Sequence, residues 1–328
     1  MYQIKRIERA SELKYFWSLS SRLDYSAQEC AYIKNFLSPA VNPLAANGPC
    51  AYLVAFKNGI PVQRLITGLD LRSAAARGKR EGWLALFDGY RDPEASFLLL
   101  SYALKLQKEF GSTSLAGPLS PDGSGYLLGA QTEDGERGIL TAPCGTWQRE
   151  ALESLGFLPI KHYMSANILL QADSVFASVY QKAEKRFKIT VTPLKLSWFS
   201  DSAKKIGAFY LETLRADALR FVTHLKKFID EDCSYIAGTG RHTIGYVLVF
   251  KDGKRQRRIA TLMTDKSALA PQACVLLLGS VRKQLLKNGK TDAEVSLVDI
   301  DGGESLGLLK RFKAEKTNEF TVYNKQLT

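Results

Sequence analysis

The sequence predicts a mixed α/β protein built from two domains related by internal duplication. Three observations carry this reading: a helical segment repeated at a constant offset, the same order of strand and helix signals around both copies, and a length of 328 residues with 45% hydrophobic content. That length suits two ordinary domains, each with enough apolar residues for its own core. Charged residues at 24% and aromatics at 10% exclude a disordered or fibrous chain.

The repeat is direct. Pro93-Glu94-Ala95-Ser96-Phe97-Leu98-Leu99-Leu100 returns as Pro271-Gln272-Ala273-Cys274-Val275-Leu276-Leu277-Leu278. Lys105 and Gly111 return as Lys283 and Gly289, so that 271 − 93 and 289 − 111 both give 178. Each copy reads as an amphipathic helix with a proline in its first turn and a glycine at its end, where a left-handed residue closes the helix. Copies this far apart exceed the 20–50 residues of a solenoid unit, so they mark the duplication of a whole domain.

The remaining signals follow in chain order. Ala51 to Phe56 and Pro61 to Leu69 flank Asn58-Gly59, the strongest short hairpin signal, and Trp83 to Phe87 forms a strand before the first helix. After it come a strand at Ser114 to Ala116, a Gly/Pro/Ser loop, a helix at Trp147 to Ser154 and a strand through Tyr163 to Leu170. The second half repeats this order with Ser234 to Gly238, Thr243 to Phe250 before an Asp252-Gly253 turn, Arg258 to Thr264, the repeated helix, Ala293 to Val298, a helix at Leu306 to Arg311, and Glu319 to Gln326. Each half is thus expected to form a mixed central sheet flanked by helices. A charged stretch at Gln181 to Lys188 places the boundary, giving domains 1–180 and 181–328.

Charge distinguishes the halves. The formal net charge is +12, but residues 1–180 hold 18 Lys+Arg and 17 Asp+Glu, whereas residues 181–328 hold 27 and 16. Nearly the whole surplus lies in the second half, around Lys251 to Arg258 and at Arg282, Lys283, Lys287 and Lys290. Such a concentration suits a partner bearing phosphates. The first twenty residues lack the apolar core of a signal peptide, and no stretch reaches the roughly 18 apolar residues of a membrane span, so a cytoplasmic protein with no membrane partner is expected. Five scattered cysteines without a CxxC pair suit buried thiols in a reducing setting, not a disulfide framework or a zinc site. His162, His224 and His242 show no triad spacing, and Asp299 to Glu304 lacks a calcium-loop pattern, so no metal is expected.

Hairpin, strand, helix, strand, and a second helix ending in Glu153-Ser154-Leu155-Gly156-Phe157 resemble the GCN5-related N-acetyltransferase (GNAT, acyl-CoA N-acyltransferase) fold, with its "ExLGF" element. Ala116-Gly117-Pro118-Leu119-Ser120-Pro121-Asp122 and Thr141-Ala142-Pro143-Cys144-Gly145 look like a bacterial subgroup of tandem acyltransferase-like proteins. The resemblance implies two tandem GNAT-like domains that move an acyl group from a thioester donor, acyl-CoA or an acyl carrier protein, to a small-molecule amine.

Family members hold the coenzyme A diphosphate on backbone amides at the start of the central helix, behind a motif (Arg/Gln)-x-x-Gly-x-(Gly/Ala). Neither half keeps the glycines. The first offers Arg91-Asp92-Pro93-Glu94-Ala95-Ser96, whose two carboxylates oppose a diphosphate. The second offers Lys266-Ser267-Ala268-Leu269-Ala270, with no carboxylate after Asp265. The resemblance therefore assigns CoA to Lys266, Ser267, Ala268, Leu269 and Ala270, with Lys283 and Lys290 for further phosphate. The family's usual tyrosine acid is absent from both halves, its place falling at Leu152 in the first and near Leu309 in the second, which leaves Asp265, Tyr163 and Tyr323 as substitutes for proton transfer. Asp122 and Trp147 are expected beside the acceptor. Two alternatives stand: a tandem arrangement also resembles the Fem-type aminoacyl transferases, with transfer RNA on the basic second domain, and the missing motifs suit a non-catalytic binding protein.

Overall fold

A computed structural model describes the chain except at residues 24, 43, 121–125, 133–136, 143–144, 171–173, 199–224, 241, 252–256, 266, 302–313 and 328. The chain forms two compact units, Met1–Met164 together with Asn318–Thr328, and Ser165–Thr317. The boundary expected at 180/181 falls inside a helix, Ser174–Arg186.

Unit 1 begins with β1 (Tyr2–Arg6), α1 (Leu13–Ser18) and α2 (Ala27–Phe36), none of which the sequence signals announced. The predicted hairpin follows as β2 (Cys50–Lys57) and β3 (Ile60–Leu69). Asn58 and Gly59 take φ of 52° and 78°, the left-handed pair that a two-residue turn between twisted strands requires. Next come α3 (Leu71–Arg77), β4 (Glu81–Gly89), α4 (Pro93–Glu109), β5 (Ser114–Leu119), β6 (Ala130–Gln131) and α5 (Trp147–Ser154). The repeated helix is present as α4, with Pro93 at its start and Gly111, at φ 74°, just past its end. Ala95, Leu99, Leu100, Ala103 and Leu106 form its buried face against Leu53, Leu65, Leu84 and Phe87 of the sheet. Each buried leucine contributes about 1.5–3 kcal/mol of apolar transfer.

β7 (Leu158–Leu169) begins in unit 1 and ends in unit 2. Unit 2 continues with α6 (Ser174–Arg186), β8 (Thr190–Pro193), β9 (Tyr235–Thr239), β10 (His242–Lys251), β11 (Arg257–Thr264), α7 (Ala270–Lys287) and β12 (Asp292–Asp299). The second repeat copy is α7, and its buried Ala273, Leu277 and Val281 match Ala95, Leu99 and Ala103 at the same 178-residue offset. Gly289 takes φ 72°, like Gly111. The predicted helix at Leu306 to Arg311 and the Asp252-Gly253 turn lie outside the described residues.

The two sheets repeat one plan. In unit 2 the order is β12-β11-β10-β9-β8, antiparallel except for the parallel pair β11–β12, and the end of β7 lies beside β12. Unit 1 runs β1-β2-β3-β4-β5, antiparallel except for the parallel pair β4–β5. Beside β5 lies β13 (Glu315–Gln326), from the far end of the chain. It is antiparallel to β5, with Tyr323 opposite Gly117 and Gln326 opposite Ser114, and it also pairs β6. The second half therefore gives its last strand to the sheet of unit 1, while the first half's last strand, β7, runs from unit 1 into unit 2. Phe320, Val322 and Tyr323 of β13 are buried in unit 1.

Candidate functional site

In unit 2 the parallel strands part early. Among the described residues β11 and β12 pair at Arg258 with Glu294 and Ile259 with Val295, well before β11 ends at Thr264 and β12 at Asp299. Parting opens a wedge between the ends of the two strands, Ala260–Thr264 and Ser296–Asp299, and a strand edge that leaves its neighbour turns polar backbone groups toward the gap. Thr261–Thr264 and Leu297–Asp299 are half-buried. Leu297, where β12 diverges, has φ 57°, a left-handed conformation that costs a non-glycine residue about 1–3 kcal/mol.

The wedge opens toward the start of α7, where three side chains converge. His242 Nε2 lies 2.8 Å from Asp265 Oδ2, and Asp265 Oδ1 accepts from the Ser267 N–H at 3.0 Å and its hydroxyl at 2.6 Å. Burial works against the Asp265 carboxylate, but the Ser267 hydroxyl and amide and His242 outweigh it and hold its pKa below the usual value. A carboxylate so engaged stays ionised and orients its neighbour. With Nε2–H donated to Asp265, Nδ1 of a neutral His242 carries the lone pair, an arrangement suited to accepting a proton. His242 and Asp265 meet because they flank the β10–β11 hairpin, where Gly245 pairs with Thr264. That register was the missed signal, since the two residues lie at nearly equal distances from the Asp252-Gly253 turn.

The equivalent place in unit 1 is closed. β4 and β5 stay paired from Glu81–Ser114 to Ala85–Leu119, and Gly82–Asp88 are all buried. The Gln148 amide of α5 donates to the carbonyl of Phe87, and Trp147 packs edge-on against the Phe87 ring at 5.2 Å. Asp92 caps α4 by accepting from the Ala95 N–H at 3.1 Å, and it also receives Lys57 Nζ at 2.9 Å and the Tyr2 hydroxyl at 3.0 Å. The chain's own carboxylate thus occupies the positive end of this helix. Burial opposes the Asp92 charge, yet Lys57, Ala95 and Tyr2 together depress its pKa. Asp92→Ala is expected to cost about 1 kcal/mol, the worth of a helix cap. Because the folded pKa lies below the unfolded one, the stabilisation is full above the ordinary carboxylate range and disappears as pH falls through the folded value. Urea titrations of both proteins between pH 7 and 3 should therefore show the difference narrowing toward the acid end.

The other predicted residues are scattered. Tyr163, on β7, and Tyr323 belong to unit 1, whereas Asp265 belongs to unit 2, so no one unit gathers the three. Lys161 Nζ lies over the Tyr163 ring at 5.4 Å. Tyr323 is buried and donates to Glu153 at 3.2 Å; burial, then Glu153, pushes its pKa up to about 12. Trp147 is buried in the core of unit 1. Asp122 and Lys266 lie outside the described residues.

At the start of α7 the Ser267 and Ala270 amides are engaged within the chain, with Asp265 and the Ser267 carbonyl, and Pro271 has no N–H. Ala268 and Leu269 complete that turn. Lys283 sits thirteen residues into α7, about 20 Å along its axis from Ala270, and Lys290 lies past its far end, so neither joins the amides at its start. Among the described residues no group of three or more His, Cys, Asp or Glu could hold a metal ion, and no helix is long and apolar enough to cross a membrane.

A four-stranded antiparallel run that turns parallel at its fifth strand, with a central helix between the parallel pair, occurs twice in this chain, and it defines a tandem GCN5-related N-acetyltransferase fold. The solved structures it is similar to carry that fold. A tandem GNAT protein from the clavulanic acid biosynthesis pathway superposes with a TM-score of 0.58 at 11% identity, covering 100% of this chain and 99% of that one. A GCN5-related glucosamine N-acetyltransferase region in a fungal multi-domain GH3 β-N-acetylglucosaminidase gives 0.61 at 14%, covering 99% of this chain, which spans 38% of that protein. A GCN5-related N-acetyltransferase from Anabaena variabilis gives 0.59 at 11%, covering 100% and 73%. No protein-family model matches the sequence, and no curated protein resembles it.

Proposed function

We propose that the protein transfers an acyl group from a thioester donor to a small amine, with the donor held by unit 2. The observation that carries this reading is the early parting of β11 and β12 beside the His242–Asp265 pair, in the half of the chain that holds 27 Lys+Arg against 16 Asp+Glu. The parted strands of the wedge would offer backbone N–H and C=O groups to the amide-rich arm of an acyl-CoA donor. Lys266 and the Ala268 and Leu269 amides would meet its phosphates. His242, oriented by Asp265, takes the proton from the amine as nitrogen attacks the thioester carbonyl. The C–N bond forms, the C–S bond breaks, and the thiolate leaves as the free thiol after protonation from solvent.

Turnover of acetyl-CoA against a panel of primary amines, with calorimetric titration of CoA, tests this. His242→Gln is expected to lower kcat by about 10²–10⁴-fold, the usual worth of a general base, with CoA affinity unchanged. Absence of CoA binding, or full activity in His242→Gln, would overturn it. A second reading, a non-catalytic binding protein, is favoured by the engagement of Asp92 with α4 and of Asp265 with Ser267, which leaves fewer amides for a diphosphate in either unit. Turnover with any acyl donor rejects that reading.

A further inference from the structure

We infer that a cleft on unit 1, remote in sequence from the wedge of unit 2, binds a small aromatic anion. The cleft lies between α1 and α2 and encloses about 540 Å³, within the 300–1,000 Å³ of small-molecule sites. Its chemistry comes from Lys14 and Trp17 of α1, Cys30 and Lys34 of α2, and the hydroxyls of Ser18 and Ser21.

The charge balance around it is one-sided. Among the described residues no carboxylate lines the cleft. The described acids nearest in sequence are occupied elsewhere: Glu12 holds Lys5 at 2.9 Å, and Glu29 holds Arg137 at 2.5 Å. The buried Arg64 behind the wall gives one N–H to Ser20 at 2.7 Å, but its charge is matched by Asp88. Lys14 and Lys34 are exposed, and among the described residues neither forms an ion pair; Lys14 rests over the Tyr15 ring at 5.0 Å. Two cations on the two helical walls suit a carboxylate or phosphate group, while the Ser18 and Ser21 hydroxyls donate to the Tyr15 and Ser18 carbonyls.

Trp17 supplies the aromatic selectivity. Its ring meets Phe16 at 5.0 Å and Tyr52 at 6.4 Å, both edge-on, which fixes it from the core side, while the residue remains half-buried and lines the cleft. A fixed indole surface beside two ammonium groups favours a flat ring that carries the anion over a bare inorganic ion.

The test is a calorimetric titration of the full chain with phenyl phosphate, benzoate and the neutral control phenol, followed by iodoacetamide labelling of Cys30 mapped by mass spectrometry. Phenyl phosphate or benzoate should bind at least tenfold more tightly than phenol and protect Cys30, and whichever binds tighter identifies the anionic group. Lys14→Glu with Lys34→Glu should weaken binding at least tenfold at an unchanged unfolding midpoint, because both side chains are exposed. Saturating CoA should leave this binding unaltered, which separates it from donor binding in unit 2. Equal binding of phenol and the anions, undiminished binding by the double variant, or no anion binding below about 10 mM would overturn the inference.

Discussion

Asp88→Ala is expected to destabilise unit 1 by about 3–5 kcal/mol, because it strands a buried guanidinium. Arg64 on β3 and Asp88 on β4 are cross-strand partners with no side-chain exposure, joined by two hydrogen bonds of 2.6 and 2.9 Å. The two Nη1 donors of Arg64 reach the Phe16 carbonyl and Ser20, and the Tyr25 hydroxyl donates to Asp88 at 2.7 Å. Burial opposes the Arg64 cation, but Asp88 and Tyr25 outweigh it and raise its pKa; burial, then Asp88, holds the Tyr25 hydroxyl protonated. With both charges paired, the penalty falls on breaking the pair and not on removing it. Arg64→Met combined with Asp88→Leu should therefore regain most of what Asp88→Ala loses. Urea unfolding followed by circular dichroism checks both, and a single variant as stable as the parent would refute the account.

A chain ending at Lys313 should fail to complete unit 1. It lacks β13, whose Phe320, Val322 and Tyr323 are buried and whose ladder closes the edge of β5. Three such side chains are worth about 4.5–9 kcal/mol at about 1.5–3 kcal/mol each, comparable with the roughly 5–15 kcal/mol that holds a whole domain folded. Limited proteolysis should then cut within residues 1–164 of the shortened chain, and a synthetic peptide of residues 314–328 added in trans should restore protection. A truncated protein as resistant as the parent would show that β5 needs no partner.

Local features were legible because their causes are local. Asn58-Gly59 demands its turn wherever the flanking strands go, and Pro93 with Gly111, or Pro271 with Gly289, brackets a helix by backbone preference alone. Trp147 to Ser154 is a helix with the bounds expected. Partnership was not legible. The alternation that makes Glu319 to Gln326 a strand is the same whichever sheet receives it, so nothing in those residues reveals that β5 is their neighbour. Nor could composition show that Trp147 turns inward onto Phe87. The short N-terminal helices stayed hidden because α1 has six residues, too few for a helical period to stand out. Of the site, Asp265 and Ser267 were read directly, whereas His242 required counting strand register across a turn.

The place of β13 also fixes an order of events. Ala116 waits for Asn324, 324 − 116 = 208 residues later, before its edge of the sheet is covered. At about 5–20 residues per second of synthesis, that interval lasts on the order of 10–40 s. During it, the nascent first half carries an open β5 edge, the kind of surface on which chains pair wrongly. Synthesis of β13, and not completion of the first half, is the moment at which this half can become a finished domain.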